Sequence, residues 1–159
     1  MPSIKERLEK FNPWWKQPFH LEFKEREIFS TIHKFIETPQ MIALTGLRRV
    51  GKTTLMLKIA QEKINEGLNP RNILFFSFDE FKEIEVMEVI KAYEQLLEKD
   101  ILNEKYLFLF DEIQKLKNWK NQLKTIYDLF KHNVKIILSG SESLFILKKS
   151  KESQAGRIR

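Results

Sequence analysis

Along the chain, short unbroken apolar runs take turns with longer stretches whose apolar residues recur at helical spacing. From Ser3 to Lys10, Ile4, Leu8 and Phe11 fall on one face, predicting a helix that Asn12-Pro13 ends. Trp14, Trp15 and Pro18 follow. Paired tryptophans beside prolines suit either stacking on a base or anchoring an extended arm on the core, and anchoring is the favoured reading. Ile28, Phe29, Ile32, Phe35 and Ile36 predict an amphipathic helix over Lys24 to Glu37, closed by Thr38-Pro39. Met41 to Thr45 then reads as a short buried strand, and Thr54 to Ala60 as a helix apolar at Leu55, Ile59 and Ala60.

Glu66-Gly67-Leu68-Asn69-Pro70 is a helix stop and turn. A second strand covers Asn72 to Phe78 and ends at Asp79-Glu80. The next helix, Ile84 to Lys99, is apolar at Val86, Val89, Ile90, Tyr93, Leu96 and Leu97. Tyr106 to Phe110 is a third strand, Trp119 to Lys131 a helix with Leu123, Ile126, Tyr127 and Phe130 inward, and Val134 to Leu138 a fourth strand ending in Ser139-Gly140-Ser141. A short helix through Leu144 and Ile146 leads to a polar tail from Lys148 to Arg159. Strands alternating with helices predict an α/β fold with a parallel sheet covered on both faces. Functional residues then belong at the carboxyl ends of the strands.

The first strand and its helix flank Gly46-Leu47-Arg48-Arg49-Val50-Gly51-Lys52-Thr53-Thr54, which contains G-x-x-x-x-G-K-T. Glycines let the backbone curl until several N–H groups face one anion, and the new helix adds its positive dipole end. Lys52 supplies a mobile charge for the outer phosphates, and the Thr53 hydroxyl can ligate Mg²⁺. At ordinary residue frequencies, chance gives this pattern in under about 1% of chains of this size.

Composition narrows the classes. The 159 residues suffice for one domain with a proper core, 42% of them apolar and thirteen of them phenylalanine. The formal charge of +6 admits an acidic partner such as nucleic acid or nucleotide, although the basic residues are spread along helices and read first as a solvated surface. Without cysteine there are no disulfides or thiolate metal sites, and His20, His33 and His132 show no ligand spacing. No apolar run approaches the length of a membrane span and no signal-peptide core opens the chain, so a cytoplasmic protein is expected.

Tyr106-Leu107-Phe108-Leu109-Phe110-Asp111-Glu112 is an apolar strand followed by two acids. Beside a phosphate loop, Asp111 can hold Mg²⁺ or its waters next to Thr53, and Glu112 can polarise a water for in-line attack on a γ-phosphate. A favourable acid at a helix start is the alternative for either. Ser139, at the fourth strand's tip, is a candidate for touching the γ-phosphate or the attacking water, with Ser141 or a simple turn as alternatives. Asp79 at the second strand's tip suits either modulation of Glu112 or capping of its own turn.

These stretches resemble AAA+ ATPases, and more narrowly a prokaryotic, especially archaeal, group of uncharacterised ATPases. The similarity lies in residues 43–55, in Leu109 to Trp119, in Ile136 to Ser141, in Gln154-Ala155-Gly156-Arg157 and in Asn12-Pro13-Trp14-Trp15. The resemblance implies a three-layer P-loop NTPase with a central parallel sheet in the order fifth, first, fourth, third, second. It implies Walker A at Lys52 and Thr53, Walker B at Asp111 and Glu112, sensor 1 at Ser139 or Ser141, and an arginine finger at Arg157 serving a neighbouring subunit of a homo-oligomer. Phe23 to Glu27 weakly resembles the region near the adenine. Residues 1–40 would be N-terminal helices with a tryptophan-containing arm, and 41–159 an ATPase core.

Related proteins continue into a fifth strand and a helical lid, whereas this sequence ends at Arg159. The expectation is therefore a fragment that folds and binds Mg·ATP, hydrolyses it poorly, and self-associates through the edge at Met41 to Thr45. Two functions compete: an ATPase converting hydrolysis into conformational change, and a nucleotide-gated interaction module with little turnover, with nucleic-acid association open. The adjacent Asp111-Glu112 favours the first. A small-substrate kinase is weaker, because an acid beside the Walker-B aspartate favours water as nucleophile. A GTPase is disfavoured by the lack of an N-K-x-D or T-K-x-D tetrad.

Overall fold

Tyr106–Asp111 is buried at all six positions, a pattern that only a strand flanked on both sides and covered on both faces can satisfy. In the computed structural model, which describes residues 3–18, 41–44, 51–81 and 83–140, this strand is indeed central. Four parallel strands, β1 (Ile42–Leu44), β2 (Ile73–Ser77), β3 (Tyr106–Asp111) and β4 (Val134–Ser139), form one sheet in the order β1-β4-β3-β2. Register fixes which tips meet: Leu44 is opposite Ser139, Ser77 opposite Asp111, and Phe110 opposite Leu138. The carboxyl ends of all four strands thus lie along one rim.

Four helices accompany the sheet among the described residues: α1 (Ile4–Phe11), α2 (Lys52–Asn65), α3 (Val86–Leu97) and α4 (Trp119–Phe130). The β1-α2-β2 connection crosses the sheet in one direction, and the connections through α3 and α4 return in the other. With right-handed crossovers, α2 covers one face while α3 and α4 cover the opposite face. The contacts agree, since α2 packs on β3 and β4, while α3 packs on α4 and α1. Elements match the sequence reading within about two residues at most ends, the usual fraying of helix and strand termini. Tyr127 is half-buried rather than inward, because Leu123 and Ile126 already fill the face turned to the core. The helix expected over Lys24–Glu37, Phe23 to Glu27, the short helix through Leu144 and the tail with Arg157 lie outside the described residues.

The amino-terminal segment solves a problem that β2 creates. As the outermost strand, β2 presents backbone groups that no fifth strand pairs among the described residues. Ser3 caps α1 with a reciprocal capping box to Glu6. At the other end of α1, Asn12, 1% exposed, turns its side-chain amide onto β2. Its Nδ2 donates to the Phe75 carbonyl at 2.9 Å and its Oδ1 accepts from the Phe75 N–H at 2.7 Å, so one side chain mimics a neighbouring strand. Nδ2 also reaches the Leu8 carbonyl at 2.8 Å. Trp14 and Trp15 both donate their indole N–H to the Ile73 carbonyl, at 3.1 and 2.7 Å. Two residues apart on β2, Ile73 and Phe75 turn their backbone groups to the same edge.

The tryptophans are thus anchors, as favoured, but they sit on a single 3-10 turn, Pro13–Trp15, rather than on an extended arm. Trp15 lies 5.4 Å from the ring of Tyr93 on α3, whose buried hydroxyl donates to the Arg71 carbonyl at 2.6 Å. Desolvation by burial raises the Tyr93 pKa above the ordinary tyrosine value. Phe11 stacks edge-on against Phe75 and Phe76.

Replacing Asn12 by Ala removes both partners of Phe75 and leaves a buried N–H and C=O without hydrogen bonds. Urea unfolding should show a loss of roughly 2–4 kcal/mol. A loss within ~0.5 kcal/mol, the range of ordinary surface substitutions, would mean that the amide does not replace a strand.

Candidate active site

Helix α2 begins directly at Lys52, behind Gly51. Gly51 has φ +73°, and a Cβ there would lie 3.1 Å from Thr54 Oγ1, so any other residue is strained and crowded. Gly51 offers no capping side chain, and the first turn holds no acid. Among the described residues, the leading N–H groups of α2 therefore have neither an intrahelical acceptor nor a competing carboxylate in their own turn, the condition for receiving an outside anion. Gly46 to Val50 lie outside the described residues, and Gly51 to Thr54 lie within them.

Asp111 ends β3 at 5% exposure. A carboxylate so enclosed needs donors, and it takes one from each flank. Thr53 Oγ1 donates to Asp111 Oδ2 at 2.7 Å, and Ser139 Oγ donates to Asp111 Oδ1. The Ser139 contact follows from register: one step beyond the Phe110–Leu138 pair, Asp111 and Ser139 stand side by side on neighbouring strands. Ser139 Oγ also accepts from the Glu112 N–H at 3.4 Å. Of the two serines considered for this role, Ser139 is fully buried at the strand tip, whereas Ser141 lies outside the described residues.

Glu112 leaves the strand with φ +54°, a left-handed conformation that turns the chain sharply away from β3. Its carboxylate is held by two residues that the sequence reading did not single out. Gln114 Nε2 donates to Oε1 at 3.1 Å, and Lys115 Nζ stands 3.6 Å from the same oxygen. Lys115 is shared with Asp79, to which it also donates a hydrogen bond. That bond, with the nearby Asp79 and Glu112 charges, raises the Lys115 pKa above the ordinary lysine value against a smaller opposing desolvation. Asp79 and Glu112 thus share Lys115 between them. The position of Asp79 two residues past β2 could be read from the chain, but the bridging lysine follows only from the turn after Glu112.

A magnesium ion suits the donor set. A hydroxyl that donates its proton to a carboxylate keeps its lone pairs, so Thr53 can ligate while still bonded to Asp111. Among the described residues no group of three or more His, Cys, Asp or Glu could hold a metal unaided. The two oxygen donors of Thr53 and Asp111 fit Mg²⁺, which takes one or two protein oxygens and completes its shell with phosphate and water.

Comparison with known proteins gives a family and two relatives. The family profile described as AAA domain matches residues 38–159. An uncharacterised protein of Methanocaldococcus jannaschii is 39% identical over 120 residues, which are 71% of this chain and 24% of that protein. An uncharacterised protein of Haemophilus influenzae is 28% identical over 112 residues, 69% of this chain and 27% of its own length. The chain therefore spans about a quarter of the length of these curated relatives. No helix among the described residues is long and apolar enough to cross a membrane.

A double-mutant cycle tests the cluster. Ser139→Ala and Asp111→Ala should each destabilise, with a coupling energy of about 1–3 kcal/mol in urea unfolding because the two groups share a buried hydrogen bond. Additive effects would show that the hydroxyl and the carboxylate act independently.

Proposed function

The chain belongs to the AAA domain family, a family of AAA-type ATPases, and on that premise we propose that it binds Mg·ATP and hydrolyses it, using the energy to change conformation. The observation that carries this reading is the 2.7 Å bond from Thr53 to Asp111, which ties the start of the phosphate-loop helix to the acid at the tip of β3. In this reading the backbone from Gly46 to Thr54 cradles the phosphates, and Lys52 neutralises the outer ones. Thr53 and Asp111 hold Mg²⁺, which withdraws charge from the phosphate oxygens.

Glu112 serves as the base. The water oxygen bonds to the γ-phosphorus as the bond to the β–γ bridging oxygen breaks, and Glu112 takes the water proton, releasing ADP and phosphate. Ser139 touches both Asp111 and the Glu112 backbone, which supports a role for it in registering the γ-phosphate and in keeping the two acids in relative position. Arg157 is the proposed finger for a neighbouring subunit. A second division follows from the same reading, with residues 1–40 as an accessory segment and 41–159 as the ATPase core.

One observation favours the competing module with little turnover. The Glu112 carboxylate is engaged by Gln114 and Lys115 and must leave them before it can accept a proton. Both contacts involve partly exposed groups, so leaving them costs little, and hydrolysis stays the preferred reading.

Lys52→Ala should weaken ATP binding by roughly ten- to a hundredfold in calorimetry, the loss expected for one charge-assisted contact. Unchanged affinity would remove the nucleotide site from this loop. Glu112→Gln should keep the parental affinity and lose about 10²- to 10⁴-fold in kcat. Parental phosphate release in that variant would exclude Glu112 as the base, and a parent that binds ATP without releasing phosphate would favour the gated module.

A further inference from the structure

The net charge of +6 is spread along the sequence, but folding gathers part of it into a row. Lys120, Lys124 and Lys131 are four and seven residues apart, which puts them within about 40° of one another around α4. All three are exposed, half-buried Tyr127 falls in the same stripe, and exposed Lys117 stands just before the helix. From Lys117 to Lys131 there are four lysines against one acid, Asp128. None of the four has a salt bridge among the described residues. Elsewhere Lys58 pairs with Glu62 at 3.7 Å, Lys63 with Glu66 at 3.5 Å and Lys99 with Glu104 at 3.4 Å, while Lys5, Lys10 and Lys91 stand singly rather than in a row.

We propose that the outer face of α4 binds the phosphate backbone of duplex nucleic acid. The row from Lys120 to Lys131 is about 16 Å long, equal to the axial rise of roughly five base pairs of a duplex. Lys120 lies 6.0 Å over the Trp119 ring, which steadies its stem, and the Tyr127 hydroxyl adds a neutral donor of the kind that contacts phosphates. A membrane surface fits poorly, because an interfacial helix needs an apolar face to insert, and α4 turns Leu123 and Ile126 into the core. Single-stranded nucleic acid fits poorly as well. It needs open aromatic platforms, and both Trp119 and Tyr127 are half-buried.

The row is separate from the nucleotide site. Helix α4 starts near the rim that carries Asp111 and runs back towards the opposite end of the sheet, so a duplex lying along it does not occupy the phosphate loop. The proposal goes beyond the ATPase reading and does not require turnover.

The test is fluorescence anisotropy of the whole chain with a labelled mixed-sequence duplex of about 20 base pairs, in a salt series. Three or four phosphate contacts should make the parental affinity fall roughly a hundredfold between about 50 and 200 mM salt. Lys120→Gln with Lys124→Gln, both at exposed positions, should keep the parental melting temperature, weaken binding at low salt and reduce that fall to about tenfold or less. The pair Lys120→Arg and Lys124→Arg should bind like the parent, and so should Lys52→Ala. A parental salt dependence in the glutamine variant would overturn the proposal, as would loss of duplex binding in Lys52→Ala. Binding to phosphatidylserine vesicles with no binding to duplex at low salt would overturn it too.

Discussion

A nearly enclosed carboxylate at the end of an apolar strand is the constraint on which the rim of this fold depends. Asp111 ends a strand with no exposed position, and its charge would be costly there without donors. It finds them on two separate elements, the first turn of α2 and the tip of β4. The parallel register supplies one donor, since shifting β4 by one residue would turn Ser139 to the other face. The first turn of α2, which carries Thr53, supplies the other. Local sequence, sheet register and helix placement thus agree at one point, the consistency expected where a chain specifies a single arrangement.

Much of this was legible in the sequence, for identifiable reasons. Strand β3 is an unbroken apolar run because it is covered on both faces, and its ending in two acids marks the rim. Gly51 is required by a positive φ, so its spacing from Lys52 and Thr53 is a mechanical necessity visible in the chain. The role of Ser139 was narrower to read, since a serine at a strand end also suits a turn, and the burial that singles it out is a tertiary fact. In the sequence Asn12 reads as a helix stop and as the first residue of the resembling Asn12-Pro13-Trp14-Trp15 stretch. Nothing in its neighbours shows that its amide meets Phe75, 63 residues away, because an edge strand's need for a partner appears only when the strand order is known.

The same limit explains Gln114 and Lys115. Both lie between the third strand and the next helix, and they reach Glu112 only because its left-handed backbone folds the chain back on itself. It explains the lysines of α4 too. In sequence they are scattered among neutral residues, and the helical period aligns them. In each case the residue types were unremarkable, and the backbone conformation gave them a shared direction.

The rim also divides into a stiff part and a part that can move. Thr53, Asp111 and Ser139 are joined by hydrogen bonds around a buried charge, and separating them would strand that charge at a cost of several kcal/mol. Asp79, Lys115 and Glu112 are joined across the surface, with side chains 58%, 39% and 28% exposed, where water and salt replace an ion pair at a cost of about 1 kcal/mol or less. The left-handed Glu112 backbone adds strain on the order of 1 kcal/mol, which favours change rather than opposing it. The buried contacts of Asp111 and the half-exposed contacts of Glu112 thus differ in what it costs to break them, although the two residues are adjacent in the chain.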